Sequence, residues 1–108
     1  GAPFGYSIAK SALHTYIKCF SKIFVRQKIM INAIAPGHIL HSSSTWKKKL
    51  NQNKFKTLKF IKNNVPINKF GAAKDIAIMC EFLCSKDSKY ITGSVFPVDG
   101  GLREILTS

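Results

Sequence analysis

Ile29-Met30-Ile31-Asn32-Ala33-Ile34-Ala35 is a nearly unbroken apolar run that stops at Pro36-Gly37. No other stretch constrains the fold as tightly. A run this short and continuous reads as a parallel strand buried on both faces, because a strand with one wet face alternates apolar and polar residues. Pro-Gly then turns the chain sharply away.

The flanking sequence has the helices that such a strand needs. From Tyr6 to about Gln27, Ile8, Ala12, Leu13, Tyr16, Ile17, Phe20, Ile23 and Phe24 recur at helical spacing. Lys10, Lys18, Lys22 and Lys28 take other faces and the C-terminal turn, and Pro3 and Gly5 mark the boundary before them. After Pro36-Gly37 comes a polar loop, His38 to Thr45, with three consecutive serines. Trp46 to about Asn64 is basic, and Trp46, Leu50, Phe55, Leu58 and Ile61 predict one or two short amphipathic helices. Val65-Pro66-Ile67 breaks them. Lys74 to about Ser85 predicts a further helix, with Ile76, Ala77, Met79, Cys80, Leu83 and Cys84 on one side and Asp75 in its first turn. Asp87 to Gly93 reads as a loop and Ser94 to Asp99 as a strand closed by Gly100-Gly101. Pro97 places that strand at an edge, since it has no N–H to donate to a ladder. Strand, long helical connection and strand imply a right-handed parallel crossover, so the class is α/β.

The chain has 108 residues, of which 45% are hydrophobic, a balance that suits one small domain and excludes a disordered chain. No apolar stretch approaches the length of a membrane span. The opening Gly1-Ala2-Pro3-Phe4-Gly5 lacks a signal peptide's basic and apolar regions, and no Met stands first, so the chain is expected to begin inside a longer one. Cys19, Cys80 and Cys84 are an odd number and fit no zinc template. A metal pair at Cys80 and Cys84 is weighed against core packing, and core packing is expected. Free thiols suit a reducing cytoplasm. The net charge of +12 comes mostly from Lys, with Arg26 and Arg103 the two arginines. Sequence-reading nucleic-acid binders favour the Arg fork, so solvated lysine faces are expected ahead of specific nucleic-acid recognition.

Tyr6 and Lys10 are four apart at the start of a predicted helix and so share a face. An ammonium held beside a phenol favours the phenolate, which can exchange a proton with a substrate oxygen. The pair alone is a weak signal, because Tyr and Lys fall four apart in many helices. The ordered set that follows it is specific. Tyr6-Ser7-Ile8-Ala9-Lys10-Ser11-Ala12-Leu13 is followed by Ile31-Asn32-Ala33-Ile34-Ala35-Pro36-Gly37. Next come Phe70-Gly71-Ala72-Ala73-Lys74-Asp75-Ile76-Ala77 and Phe82-Leu83-Cys84-Ser85, then Tyr90-Ile91-Thr92-Gly93-Ser94 and Val98-Asp99-Gly100-Gly101. In content, order and spacing this resembles the short-chain dehydrogenases/reductases of the classical type, particularly bacterial 3-oxoacyl-acyl-carrier-protein reductases. The resemblance covers essentially the whole chain and is weakest between His38 and Val65.

The resemblance implies the C-terminal part of a Rossmann-like, doubly wound parallel sheet, forming part of a single oxidoreductase domain. It implies NAD or NADP as cofactor and hydride transfer to or from a small carbonyl or alcohol substrate. Tyr6 would be the acid/base. Lys10 would bind the nicotinamide ribose hydroxyls. Pro36 and Gly37 would form the turn beside the nicotinamide, and the backbone of Ile39 would contact its carboxamide. The segment from His38 to Val65 would be the substrate lid. The first helix and the Val98–Gly101 end would lie at interfaces of a homo-oligomer, a dimer or tetramer.

Other polar residues have structural readings. Asn32 is expected to bond backbone at the strand end, and Gly100-Gly101 to form a turn. His14 is expected at a surface or interface, and His38 and His41 in the substrate loop. The sequence departs from the family pattern in carrying no Gly-rich pyrophosphate turn and no Ser upstream of Tyr6. His41 stands where a Thr is common, although Ser42 could supply the hydroxyl. The isolated chain is therefore expected to be marginally stable, open at the edge of its strand and inactive. Two alternatives stand beside the oxidoreductase reading. One is a non-catalytic remnant that binds a full-length homologue. The other is a basic binder of nucleic acid or membrane surfaces through Trp46–Lys62.

Overall fold

A computed structural model describes residues 3–102. Gly1, Ala2 and Arg103, named above, lie outside the described residues. The chain divides into two compact units, one from Gly1–Ile34 and Glu81–Phe96, the other from Ala35–Cys80 and Pro97–Ser108. Each is treated below by its described residues. The elements run α1 (Phe4–Phe24), β1 (Ala33–Pro36), β2 (Ile39–Leu40), α2 (Thr45–Gln52), α3 (Lys54–Asn64), β3 (Gly71–Ala72), α4 (Ala73–Leu83) and β4 (Val95–Val98). β1 pairs with β4 and β2 with β3. This is the α/β class expected from the order of elements. No helix among the described residues is long and apolar enough to cross a membrane.

In the first unit, α1 realises the helical spacing of Ile8 to Phe24 and buries Ile17 and Ser21. A 3-10 turn, Val25–Gln27, continues it, and Lys28 leaves with a left-handed backbone at φ 61°. Such a conformation is uncommon for a residue with a Cβ and ends the helix sharply. Gly93 has φ +77°, and a Cβ there would run into the Ser21 side chain, so both its backbone and its neighbour require glycine.

The apolar run does not form the strand expected over Ile29–Ala35. The strand begins at Ala33. The residues before it bond out of ladder register: Ile31 N–H donates to Thr92 Oγ1 at 3.0 Å, and Ile31 C=O accepts from Gly93 N–H at 2.7 Å. Burial on both faces is also corrected, since Ile29 is 51% and Met30 41% exposed. Asn32 has the structural role expected of it. Its Nδ2 donates to Ile91 C=O and its Oδ1 accepts from Ser94 N–H, each at 3.1 Å, tying the start of β1 to the approach of β4. Ala33 N–H donates to Ser94 C=O at 2.9 Å, and further along the same strand pair Gly37 N–H donates to Val98 C=O at 3.0 Å. Equal steps in the same direction on both strands mark a parallel pair. Pro97 is the exposed position of β4, as an edge proline should be.

In the second unit, β2 and β3 are parallel, with Ile39 opposite Gly71 and Leu40 opposite Ala72. The basic stretch folds as two helices. Ser44 caps α2 by accepting from Lys47 N–H at 3.2 Å, and Asn53 caps α3 by accepting from Lys56 N–H at 3.0 Å. Thr57 Oγ1 reaches back to Lys49 C=O at 3.0 Å and joins the two. Gly100 has φ +63° and Gly101 φ +88°, the turn expected of them. Gly100 C=O accepts from Ile67 N–H at 3.1 Å.

Among the described residues the buried apolar side chains are Ile17, Ala35, Ile61 and Val65. That is a small core for a hundred residues. Large apolar side chains on α1, including Ile8, Leu13, Phe20 and Ile23, are exposed. The core packing expected for cysteine is overturned, because Cys19, Cys80 and Cys84 are all exposed. The physical reason is that their surroundings are bare: α1, which carries Cys19, buries only two residues, α4, which carries Cys80, buries none, and Cys84 directly follows α4. No cluster of three or more metal-ligating side chains occurs among the described residues.

Candidate active site

Tyr6 and Lys10 sit on the first turns of α1, where Ser7 N–H donates to Pro3 C=O at 3.1 Å and starts the helix. Their i, i+4 spacing brings the Lys10 Nζ to 5.4 Å from the Tyr6 ring centroid. Tyr6 is 57% exposed, so the phenol is open to a ligand arriving from outside this unit. An exposed phenol and an exposed ammonium over its ring thus share one face of the helix.

Pro36, Gly37 and Ile39 belong to the second unit. Pro36 ends β1 and Gly37 follows it with its N–H tied to Val98 C=O. A Cβ on Gly37 would stand 2.7 Å from both Cα and Cβ of Asp99, so only glycine lets the two backbones approach this closely. Pro36, Gly37 and Ile39 border an open depression of about 660 Å3, together with His41, Ala73 and Ile76. The structure therefore brings Tyr6 to Lys10, and Pro36 and Gly37 to Ile39. The first pair lies in one unit and the second set in the other.

The loop histidines have different surroundings. His41 is exposed, and its Nδ1 lies 3.2 Å from Ser43 Oγ. Ser44 Oγ donates to His41 C=O at 2.8 Å, so this loop is held by its own serines. His38 packs against Trp46 with ring centroids 4.7 Å apart, and Trp46 meets the edge of Phe70 at 5.5 Å. This aromatic cluster was not anticipated. The lone Trp at the head of the basic stretch was its one sequence signal.

Burial first, and then the Lys49 ammonium, push the His38 pKa below the ordinary 6.5. The sign of the pH effect follows. As pH falls below 6.5, the unfolded chain takes up a proton that the folded chain resists, so stability falls on that side and is unaffected by His38 well above it. His38→Gln should flatten the fall in melting temperature between neutral pH and pH of about 5. An unchanged slope in the variant would show that His38 does not carry it.

Comparison with known proteins gives this geometry a lineage. The sequence model of the enoyl-(acyl carrier protein) reductase family matches residues 2–103. The 3-oxoacyl-[acyl-carrier-protein] reductase of Bos taurus is 38% identical over 98 residues, which are 91% of this chain and 37% of that protein. The corresponding reductase of Aquifex aeolicus (strain VF5) is 31% identical over 97 residues, 90% of this chain and 37% of the relative. The chain thus spans a little over a third of the length of these curated relatives. A solved 4-hydroxyisoleucine dehydrogenase complexed with NADH superposes with a TM-score of 0.79 at 33% identity, covering 90% of this chain and 38% of that one. The L-sorbose reductase from Gluconobacter frateurii, complexed with NADPH and L-sorbose, gives a TM-score of 0.79 at 30% identity, over 92% of this chain and 40% of that one. With a family match along nearly all of its length and with these folds beside it, the chain belongs to the short-chain dehydrogenase/reductase oxidoreductases, in the family described as enoyl-(acyl carrier protein) reductases.

Proposed function

We propose that this chain contributes the acid/base residue and part of the nicotinamide site of an NAD(P)-dependent oxidoreductase acting on a carbonyl or alcohol carbon. The observation that carries this reading is the Lys10 ammonium 5.4 Å from the ring of an exposed tyrosine, at the head of the family's motif order. Relatives solved with NADH and with NADPH support the choice of cofactor class. The residues fit such a group. Lys10 is a cation suited to ribose hydroxyls, and the depression beside Pro36, Gly37 and Ile39 is of the size, about 300–1,000 Å3, that small-molecule sites have.

When bound, the nicotinamide supplies or accepts the hydride. In the direction of reduction, Tyr6 Oη gives its proton to the substrate oxygen as that oxygen gains charge. The Lys10 ammonium offsets the charge left on the phenolate, and a proton from solvent then restores the phenol. Pro36 and Gly37 would hold the nicotinamide at their backbone turn, and the Ile39 backbone would contact its carboxamide. The helical segment through α2 and α3 would be the substrate lid. The isolated chain, without a Gly-rich pyrophosphate turn or the upstream Ser, is inactive in this reading.

The test is a chimera in which residues 2–103 replace the matching stretch of the bovine 3-oxoacyl-[acyl-carrier-protein] reductase. The chimera is expected to oxidise NADH or NADPH in the presence of a 3-oxoacyl substrate, and the 108-residue chain alone to give no turnover. A folded chimera that binds the cofactor but transfers no hydride would overturn the oxidoreductase reading. Turnover by the chain alone would overturn its inactivity. A second reading, a non-catalytic module that binds a full-length homologue, is favoured by the exposed apolar residues of α1, with Ile8 at 69% and Ile23 at 53%. It requires co-migration of the chain with such a homologue on size exclusion.

A further inference from the structure

We propose that the concavity formed by α2 and α3 is a separate binding site for a mononucleotide-like ligand, a planar ring that carries a phosphate. The concavity holds about 390 Å3, enough for a ligand of that size. Its floor is aromatic. Trp46 and Phe60 stack with centroids 5.7 Å apart and planes 25° from parallel, and Phe60 is 46% exposed, so ring surface remains open. Its walls are cationic. Lys49 Nζ stands 4.4 Å from the Trp46 ring centroid, Lys56 lines the same space, and Gln52 adds an amide. No carboxylate lines the concavity, and neither α2 nor α3 contains Asp or Glu.

The chemistry of the ligand follows from the two halves of the site. Two ammonium groups with no carboxylate between them favour an anion, and Lys binds phosphate as a point charge through charge-assisted hydrogen bonds. The exposed Phe60 ring, backed by Trp46, takes a planar ring by stacking, and every nucleobase has such a face. A bare inorganic anion would use the lysines alone, and a neutral ring would use the floor alone. A ring with a phosphate uses both. All of these residues belong to the second unit, so the site stands on that unit by itself. It does not depend on the proposed hydride transfer, because its test reads binding and not turnover.

Trp46 is the one tryptophan in the chain, so intrinsic fluorescence reports on the floor of the site directly. The 108-residue chain is titrated with adenosine 5′-monophosphate, with adenosine and with inorganic phosphate. The monophosphate is expected to change the Trp46 emission saturably, with the other two at least about tenfold weaker, since each engages half of the contacts. Lys49→Gln combined with Lys56→Gln should weaken the monophosphate by about tenfold or more. Lys47→Gln combined with Lys59→Gln removes the same charge outside the concavity and should leave binding nearly unchanged. All four lysines are exposed, so the two double variants should have matching circular dichroism spectra. The absence of a saturable change overturns the site. Phosphate binding as tightly as the monophosphate would reduce it to a simple cation patch and overturn the ring half. Equal loss in both double variants would show general charge attraction in place of a built pocket.

Discussion

Tyr6→Phe in the chimera carrying residues 2–103 should lower turnover by about 10²–10⁴-fold, the range that a positioned acid/base group contributes. The substitution removes one oxygen and leaves the ring. The contact between the Lys10 Nζ and the ring face depends on the aromatic ring and not on the hydroxyl, so Lys10 keeps its place. Cofactor affinity should therefore change little while the chemical step fails, a loss in kcat without a matching rise in the cofactor KM. Lys10→Met should differ in kind. In the proposed reading it removes both the cation that offsets the phenolate and the group that holds the ribose, so kcat should fall and the cofactor KM rise together. Lys10→Arg keeps the charge but changes reach and shape, and should recover affinity better than rate. Tyr6→Phe with turnover within a few-fold of the parent would remove Tyr6 from the chemistry altogether.

How much of this was legible in the sequence depended on the physical range of each feature. The Tyr6–Lys10 pairing was legible because four residues on a helix fix a shared face locally. The extent of α1 was legible for the same reason, since Ile8 to Phe24 repeat at a period that no strand could satisfy. The exposed, edge-like setting of Pro97 followed from its missing N–H. The start of β1 was not legible. Ile29 to Ile31 are as apolar as the strand itself, and their fate and that of Asn32 are decided by Thr92, Gly93 and Ser94, about sixty residues away. β2 and β3 are two residues each, too short for any period to show. The cysteines are not buried because burial preference is a property of complete cores, and α1 and α4, which carry Cys19 and Cys80 and precede Cys84, are largely uncovered. Pro36, Gly37 and Ile39 are named from family order alone, and the structure gives a packing reason for the glycine in the close approach of Asp99. The stacking of Trp46 on Phe60 and its contact with Phe70 join positions far apart in sequence, and nothing local announces them.

Ile61→Ala should be the most destabilising single truncation in the second unit. Ile61 is 1% exposed, the largest side chain among the described residues to be so fully enclosed. It lies on α3 one turn beyond Thr57, whose hydroxyl already fastens α3 to the last turn of α2. Truncating a buried Ile loses its transfer free energy and leaves a cavity, together about 2–5 kcal/mol. Whole domains are stable by only about 5–15 kcal/mol, and a chain whose described residues bury four apolar side chains belongs at the low end. A loss of that size removes a large part of the folding free energy. Urea unfolding followed by Trp46 fluorescence should show a midpoint displaced far toward zero, or no cooperative transition at all. Phe55→Ala is the control: it deletes a larger side chain from the same helix, but one that is 79% exposed, and should shift stability by no more than about 0.5 kcal/mol. The contrast separates burial from size. A Phe55→Ala effect equal to that of Ile61→Ala would mean that the exposed face of α3 is covered in solution and that the enclosed side of Ile61 is not what holds α2 and α3 in place.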